Sequence, residues 1–202
     1  MSGVLITFEG IDGCGKTSVA AEVLSRLEKA GKEVVLTQEP TKTWLGDAVK
    51  KGISEEHPAL TEAFLFMADR TTHSKTISNW LEEEKLVLCD RYADSTICYQ
   101  AASLVIEGFE GDPFEWLKRI SDAFALRPTL TLLLDLEPHD ALERIETREE
   151  MTKFERLDFL EKVRENFLRL ADVEDRIEVI DASASFETVV EESERRILET
   201  VA

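Results

Sequence analysis

A chain of 202 residues that is 43% hydrophobic and 33% charged reads as a soluble globular protein long enough to bury a sizeable core. Its formal net charge of −18 at pH 7 argues against a nucleic-acid or anionic-membrane surface, because both of those partners are polyanions. Cys14, Cys89 and Cys98 are odd in number and lack metal-ligand spacing, which predicts a reducing, cytoplasmic setting, and no apolar run has the length of a signal peptide or a membrane span.

Val4 to Phe8 is a short, β-rich apolar run and predicts a buried strand. It leads into Gly10-Ile11-Asp12-Gly13-Cys14-Gly15-Lys16-Thr17, with Ser18 behind it, a match to G-x-x-x-x-G-K-[ST]. Ala20, Val23, Leu24 and Leu27 then recur at helical spacing, predicting an amphipathic helix that Gly31 ends. Strand, glycine loop and helix together form the context in which this motif holds a nucleoside triphosphate. Gly10, Gly13 and Gly15 let consecutive backbone N–H groups turn inward around phosphate oxygens, and the helix N-terminus adds partial positive charge. Lys16 is placed to reach the β- and γ-phosphates and the Thr17 hydroxyl to ligate Mg²⁺. Cys14 is either a small residue filling a variable loop position or a redox-sensitive thiol.

Glu33 to Thr37 predicts a second strand, broken at Pro40 within Gln38-Glu39-Pro40-Thr41. A short helix is expected at about 43–52, a turn from Ser54 to Pro58, and helix from Leu60 to about Glu84 in two pieces. Lys85 to Asp90 is a buried strand ending in an acid, followed by Arg91-Tyr92 and a helix to about Val105. After a turn from Gly108 to Pro113, a helix spans about Phe114 to Phe124, and Pro128 precedes a strand from Leu130 to Asp135. Helices at about 138–148 and 155–172, a strand from Arg176 to Asp181 and a closing helix from about Ser185 to Val201 complete the chain. This alternation implies an α/β fold: a five-stranded parallel sheet with helices on both faces, of the P-loop NTPase type. Ligands of such sheets sit beyond the carboxyl ends of the strands, where Glu9, Glu39, Asp90 and Asp135 would gather near the phosphate loop.

The loop alone specifies a nucleoside triphosphate. GTPase motifs (N-K-x-D and D-x-x-G) and the ABC-type serine-glycine signature are absent, which leaves a compact kinase of a small molecule. Phe66 and Arg70 stand four apart, so a ring and a guanidinium share one helix face and suit a pyrimidine: one stacks, the other donates to a base carbonyl. The alternative makes Phe66 core and Arg70 a surface charge. A core stripe of Leu60, Phe64 and Met67 would leave Phe66 off it. Ser95 with Tyr99, and Thr96 with Gln100, form two adjacent polar rows on the helix after Asp90-Arg91. Arg91, after a strand-end acid, carries a fork suited to bidentate phosphate contact.

Phe8-Glu9-Gly10-Ile11-Asp12-Gly13, Gln38-Glu39-Pro40, Phe66-x3-Arg70 and Asp90-Arg91-Tyr92-x2-Ser95-x3-Tyr99-Gln100 together resemble the thymidylate (dTMP) kinase family, over residue 4 to about residue 172. The resemblance implies phosphoryl transfer from Mg-ATP to dTMP by one P-loop kinase domain spanning 1–202, with a small helical lid at about 144–156, commonly as a homodimer. It implies Phe66 and Arg70 against thymine, Thr96 and Gln100 near the base edge, and Tyr99 against the sugar, where its bulk favours deoxynucleotides. Glu39, Pro40 and Ser95 belong to the same implied acceptor site, and Arg91 grips the acceptor phosphate. Asp90 holds Mg²⁺ directly or through water, and Asp12 faces either the sugar 3′-hydroxyl or the metal. Asp135 either serves the metal or caps the segment after it.

Some members of the family carry an arginine inside the loop where this chain has Gly13; members lacking it resemble this chain in supplying cations from the lid. Arg148, Lys153 and Arg156 are the candidates, with ordinary salt bridging on an acidic helix, to which Arg144 and Arg148 are also suited, as the alternative. Two departures stand out. Gln38 replaces an arginine that many bacterial members carry before Glu-Pro, and Ala101-Ala102-Ser103-Leu104 replaces a glycine-rich stretch. The rival readings are a deoxynucleoside kinase, another nucleoside monophosphate kinase, or a nucleotide-binding regulator. Asp-Arg-Tyr at residues 90–92, where deoxynucleoside kinases usually resemble Glu-Arg-Ser, argues against the first of these.

Overall fold

In the computed structural model, residues 3–145 and 157–202 are described. The apolar runs form five parallel strands: β1 (Val4–Glu9), β2 (Val34–Gln38), β3 (Leu86–Asp90), β4 (Leu130–Asp135) and β5 (Ile177–Asp181). They lie in the order β2-β3-β1-β4-β5, so the strand carrying the glycine loop is central. Its alternating side chains face two layers. Leu5 packs with Ile77 and Tyr92 on one side, while Ile6 and Phe8 join the cluster of Val19, Val23 and Leu27.

Eight helices are described: α1 (Lys16–Lys29), α2 (Trp44–Ser54), α3 (Ala59–Glu82), α4 (Ala93–Ile106), α5 (Pro113–Phe124), α6 (Pro138–Ile145), α7 (Leu157–Val173) and α8 (Phe186–Thr200). α1 packs against α8 over the sheet; α3, α4 and α7 pack in succession, with α2 against α3 and α5 against α4. No described helix is long and apolar enough to cross a membrane.

The helix predicted in two pieces is one, the 24 residues of α3. No glycine or proline interrupts them, and a helix without such a breaker continues. Of the expected core stripe on α3 only Met67 is buried; Leu60 is 37% and Phe64 53% exposed. The buried face instead runs through Ala59, Ala63, Met67, Arg70, Ser74 and Ile77. Small residues there allow close approach, while Arg70 lines a cavity described below and Ser74 shares a hydrogen bond with the Tyr92 hydroxyl at 3.0 Å.

The start of α4 is fixed by a polar cluster in the core. Asp94 accepts both ends of the Arg176 guanidinium at 2.7 and 2.8 Å. Arg176 also donates to Thr131, which shares a hydrogen bond with Thr7. Buried charge is tolerated only when paired and hydrogen-bonded in this way. The anchor sets the rotation of α4 and hence the positions of Ser95, Thr96, Tyr99 and Gln100.

Candidate active site

The glycine loop lies between β1 and α1. A side chain at Gly10 (φ 137°) would meet the Leu134 carbonyl oxygen at 2.5 Å. One at Gly13 (φ 85°) would meet the Ala141 oxygen at 2.4 Å, so α6 sits directly on the loop. This contact is the physical reason why an arginine cannot occupy position 13. Lys16 is nearly buried, and its Nζ donates to the carbonyls of Gly10 at 3.0 Å and Ile11 at 2.7 Å. Cys14 is buried with Sγ 3.5 Å from that ammonium, a small side chain packed inside the loop. Gly15 precedes α1 in a left-handed conformation, and Thr17 and Ser18 are exposed at the helix start.

Thr17 Oγ1 donates to Asp90 Oδ2 at 2.5 Å. The other oxygen, Asp90 Oδ1, is buried without a partner among the described residues. A hydroxyl and a half-free carboxylate suit a hard cation that takes oxygen ligands and keeps several waters, so the pair fits Mg²⁺. Asp135 is engaged elsewhere. Arg164 of α7 donates to its two oxygens at 2.7 and 2.9 Å.

Arg91 has φ 64°, a left-handed conformation that a non-glycine residue holds only when its surroundings enforce it. Glu9 supplies the enforcement. Its carboxylate accepts from the Tyr92 N–H at 2.8 Å and from Ser95 Oγ at 2.5 Å. Ser95 Oγ in turn accepts from Arg91 Nη1 at 3.0 Å. Burial first, then the neighbouring Asp94 carboxylate, push the Glu9 carboxyl up to about 7. Arg91 also pairs with Asp12 and lies 5.1 Å from the centre of the Tyr99 ring. Tyr99 closes the arrangement, its hydroxyl accepting from the Asp12 N–H at 2.8 Å and donating to Asp12 Oδ2 at 2.9 Å. Burial opposes ionisation of Asp12, but Arg91, Lys16 and the Tyr99 hydroxyl outweigh it and hold the carboxyl below its usual range.

Beside these groups is a cavity of about 240 Å³. Asp12, Glu39, Pro40, Phe66, Arg70, Arg91, Ser95, Thr96, Tyr99 and Gln100 all line it, together with Ile53 and Tyr92. Every acceptor-site residue expected from the sequence is thus on one wall or another. Arg70 is fully buried, and its Nη2 donates to Glu39 Oε2 at 2.6 Å, Thr96 Oγ1 at 2.8 Å and the Tyr92 carbonyl at 3.0 Å. Its Nε and Nη1 have no partner among the described residues. The reading of Arg70 as a surface charge is therefore wrong.

Glu39 is not free to bind a ligand with both oxygens. His73 Nδ1 lies 2.9 Å from Glu39 Oε1, and His73 Nε2 lies 2.7 Å from Thr37 Oγ1. His73 was missed in the sequence, although its place one turn beyond Arg70 puts both on the buried face of α3. Gln38 lines a neighbouring cavity of about 440 Å³, which also touches Thr17, His73 and Asp90. Of the lid cations, Arg148, Lys153 and Arg156 lie outside the described residues. Arg144, at the end of α6, donates to the Ala182 carbonyl at 3.2 Å.

A parallel sheet with a glycine-rich loop at its central strand, a lysine and threonine opening the next helix, and an acid at the end of the adjacent strand define a P-loop nucleotide-binding protein. A model of the thymidylate kinase family matches residues 8–193, and the chain belongs to that family. It is 43% identical to the probable thymidylate kinase of Methanosarcina barkeri, over 98% of this chain and 98% of that protein. With the probable thymidylate kinase of Methanococcoides burtonii the identity is 42%, over 100% and 97%. With that of Staphylothermus marinus it is 37%, over 98% and 96%.

Proposed function

We propose that this protein transfers the γ-phosphoryl group of Mg-ATP to dTMP, giving dTDP and ADP in dTTP synthesis, and that it does so in the cytoplasm as one kinase domain of residues 1–202. The observation that carries the reading is the buried Arg70, which lines one cavity with Phe66 and Arg91 and keeps two donors without a partner among the described residues. A buried polar group without a partner is rare in a native structure, and a bound ligand is one explanation. Phe66 stacks on the base while Arg70 donates to its carbonyl. Pro40, Thr96 and Gln100 complete the base pocket, with Tyr99 against the sugar.

The acceptor is a phosphate, already anionic at neutral pH, so the chain needs no general base. Its task is alignment and neutralisation of charge in a loose transition state. The backbone of Gly10 to Gly15 cradles the donor, with Ser18 at the helix start. Lys16 exchanges its two loop carbonyls for phosphate oxygens. Arg91, already held by Glu9 and Ser95, exchanges Asp12 for the acceptor phosphate; Asp12 is then free for the sugar 3′-hydroxyl. Thr17 and Asp90 hold Mg²⁺, which when bound screens the phosphate charges. Arg148, Lys153 and Arg156, the candidate lid cations, would add positive charge at the donor.

An exposed apolar strip supports a homodimer. Leu60 and Phe64 of α3 and Val105 and Ile106 of α4 are all more than a third exposed, and Phe64 meets Trp116 of α5 edge-on. Patches of this kind mark protein interfaces.

Incubation with Mg-ATP and dTMP, followed by chromatography of the nucleotides, tests the reaction. Stoichiometric dTDP and ADP are expected. Formation of ADP without dTDP would rule out the transfer.

A further inference from the structure

Arg70 and Gln100 both line the acceptor cavity, and three of their buried atoms have no partner among the described residues: Nε and Nη1 of Arg70, and Oε1 of Gln100. The first two only donate, and the third only accepts. An arginine has no choice of polarity, but an amide does, since either end of it can face a ligand. The neighbour behind it decides. Gln100 Nε2 donates to Oε2 of Glu62 at 3.4 Å. Glu62 is buried at 1% exposure on α3 and is not part of the cavity wall. A carboxylate accepts and does not donate, so Glu62 retains the NH₂ end of Gln100 and leaves the carbonyl end for the cavity.

The wall therefore offers donors from Arg70 and an acceptor from Gln100. A pyrimidine with a 4-keto group presents the complement, a carbonyl oxygen beside an N3–H. A pyrimidine with a 4-amino group presents an N–H₂ donor beside a bare nitrogen and is mismatched at both positions. Buried polar groups left unpaired by the wrong ligand are a strong source of discrimination.

We propose that Glu62 is a specificity-determining residue that, without touching substrate, sets the direction of the Gln100 amide and so tunes the site to 4-keto over 4-amino pyrimidine monophosphates. The inference rests on the reading of this cavity as the acceptor site. Glu62 acts through Gln100 and is a positioning residue.

The test compares kcat and KM for dTMP and dCMP in the wild type, Glu62→Gln, and the exchange variant Glu62→Gln/Gln100→Glu, each checked for folding by its melting curve. Glutamine at position 62 can accept or donate, so the Gln100 amide loses its bias. For dTMP, KM is expected to rise about tenfold with kcat retained, and the dTMP-to-dCMP ratio of kcat/KM to narrow by about the same factor, the scale of one net hydrogen bond. The exchange variant returns an acceptor to the cavity and a donor behind it, and its ratio is expected to return toward that of the wild type. An unchanged ratio in Glu62→Gln, or equal losses for dTMP and dCMP, would overturn the proposal. Should Glu62→Gln not fold, the exchange variant decides alone: a ratio near that of the wild type supports the proposal and a collapsed ratio overturns it. Failure of the wild type to phosphorylate either nucleotide would instead refute the functional reading.

Discussion

The two ends of the site are built in opposite ways. At the phosphate end the two described cations already have an anionic or carbonyl partner: Lys16 holds Gly10 and Ile11, and Arg91 holds Asp12 and Ser95. At the base end Arg70 and Gln100 keep atoms with no partner among the described residues. The difference follows from solvation. Lys16 is nearly buried, and a buried charge needs partners of its own until, on the proposed reading, phosphates take their place. At the base end the Arg70 charge has its partner in Glu39 and Gln100 is held by Glu62, and on the proposed reading the atoms that keep no partner are those the base would meet. One end works by exchange and the other by preformation.

The largest effect that separates the two ends is expected from Lys16→Ala. Its charge is needed as the transition state forms, so kcat falls on the order of 10³-fold while KM for dTMP changes little, as steady-state kinetics would reveal. A KM effect without a kcat effect would place Lys16 in ground-state binding only. Arg70→Lys should show the reverse pattern. It keeps the charge beside Glu39 but loses the planar fork, so kcat/KM for dTMP falls roughly 10- to 100-fold, mainly through KM. A kcat loss at saturating dTMP would mean that the base end is not a binding element alone.

Glu9→Gln tests what holds the phosphate end in its left-handed turn and gives the smallest effect, on stability. The folded state keeps a proton on Glu9 up to about 7, whereas a carboxyl with its ordinary value of 4.5 loses it earlier. Between those pH values the native protein binds more protons than the unfolded chain, so the contribution of Glu9 to stability falls as pH rises. Denaturant titrations of both proteins from pH 4 to 8 should show the stability of the wild type falling relative to Glu9→Gln across that window. Parallel curves would contradict the burial-driven shift.

How much of this was legible in the sequence follows the same division. The loop, its flanking strand and helix and the strand-end acids are local in the chain, and the sheet carries them to the predicted places. The polar rows of α4 were also readable, because four-residue spacing fixes a helix face. Periodicity misled on α3. Leu60 and Phe64 mark an apolar face that the described residues leave open, while the truly buried face carries Arg70 and His73. The residues that hold these groups, Glu9, Glu62 and His73, join segments 34 to 86 positions apart, and no local pattern signals such pairs. Asp135 shows the converse. Its place at the end of β4 made it a candidate for the metal, and only the fold brings Arg164 to claim it.

The most direct test of the central claim is ADP release from Mg-ATP with dTMP, dUMP, dCMP, AMP, thymidine or no acceptor. The proposed reaction predicts turnover with dTMP well above that with dCMP or AMP and near background with thymidine, which lacks the phosphate that Arg91 is proposed to receive. Fastest turnover with thymidine, or equal release whether or not an acceptor is present, would contradict it.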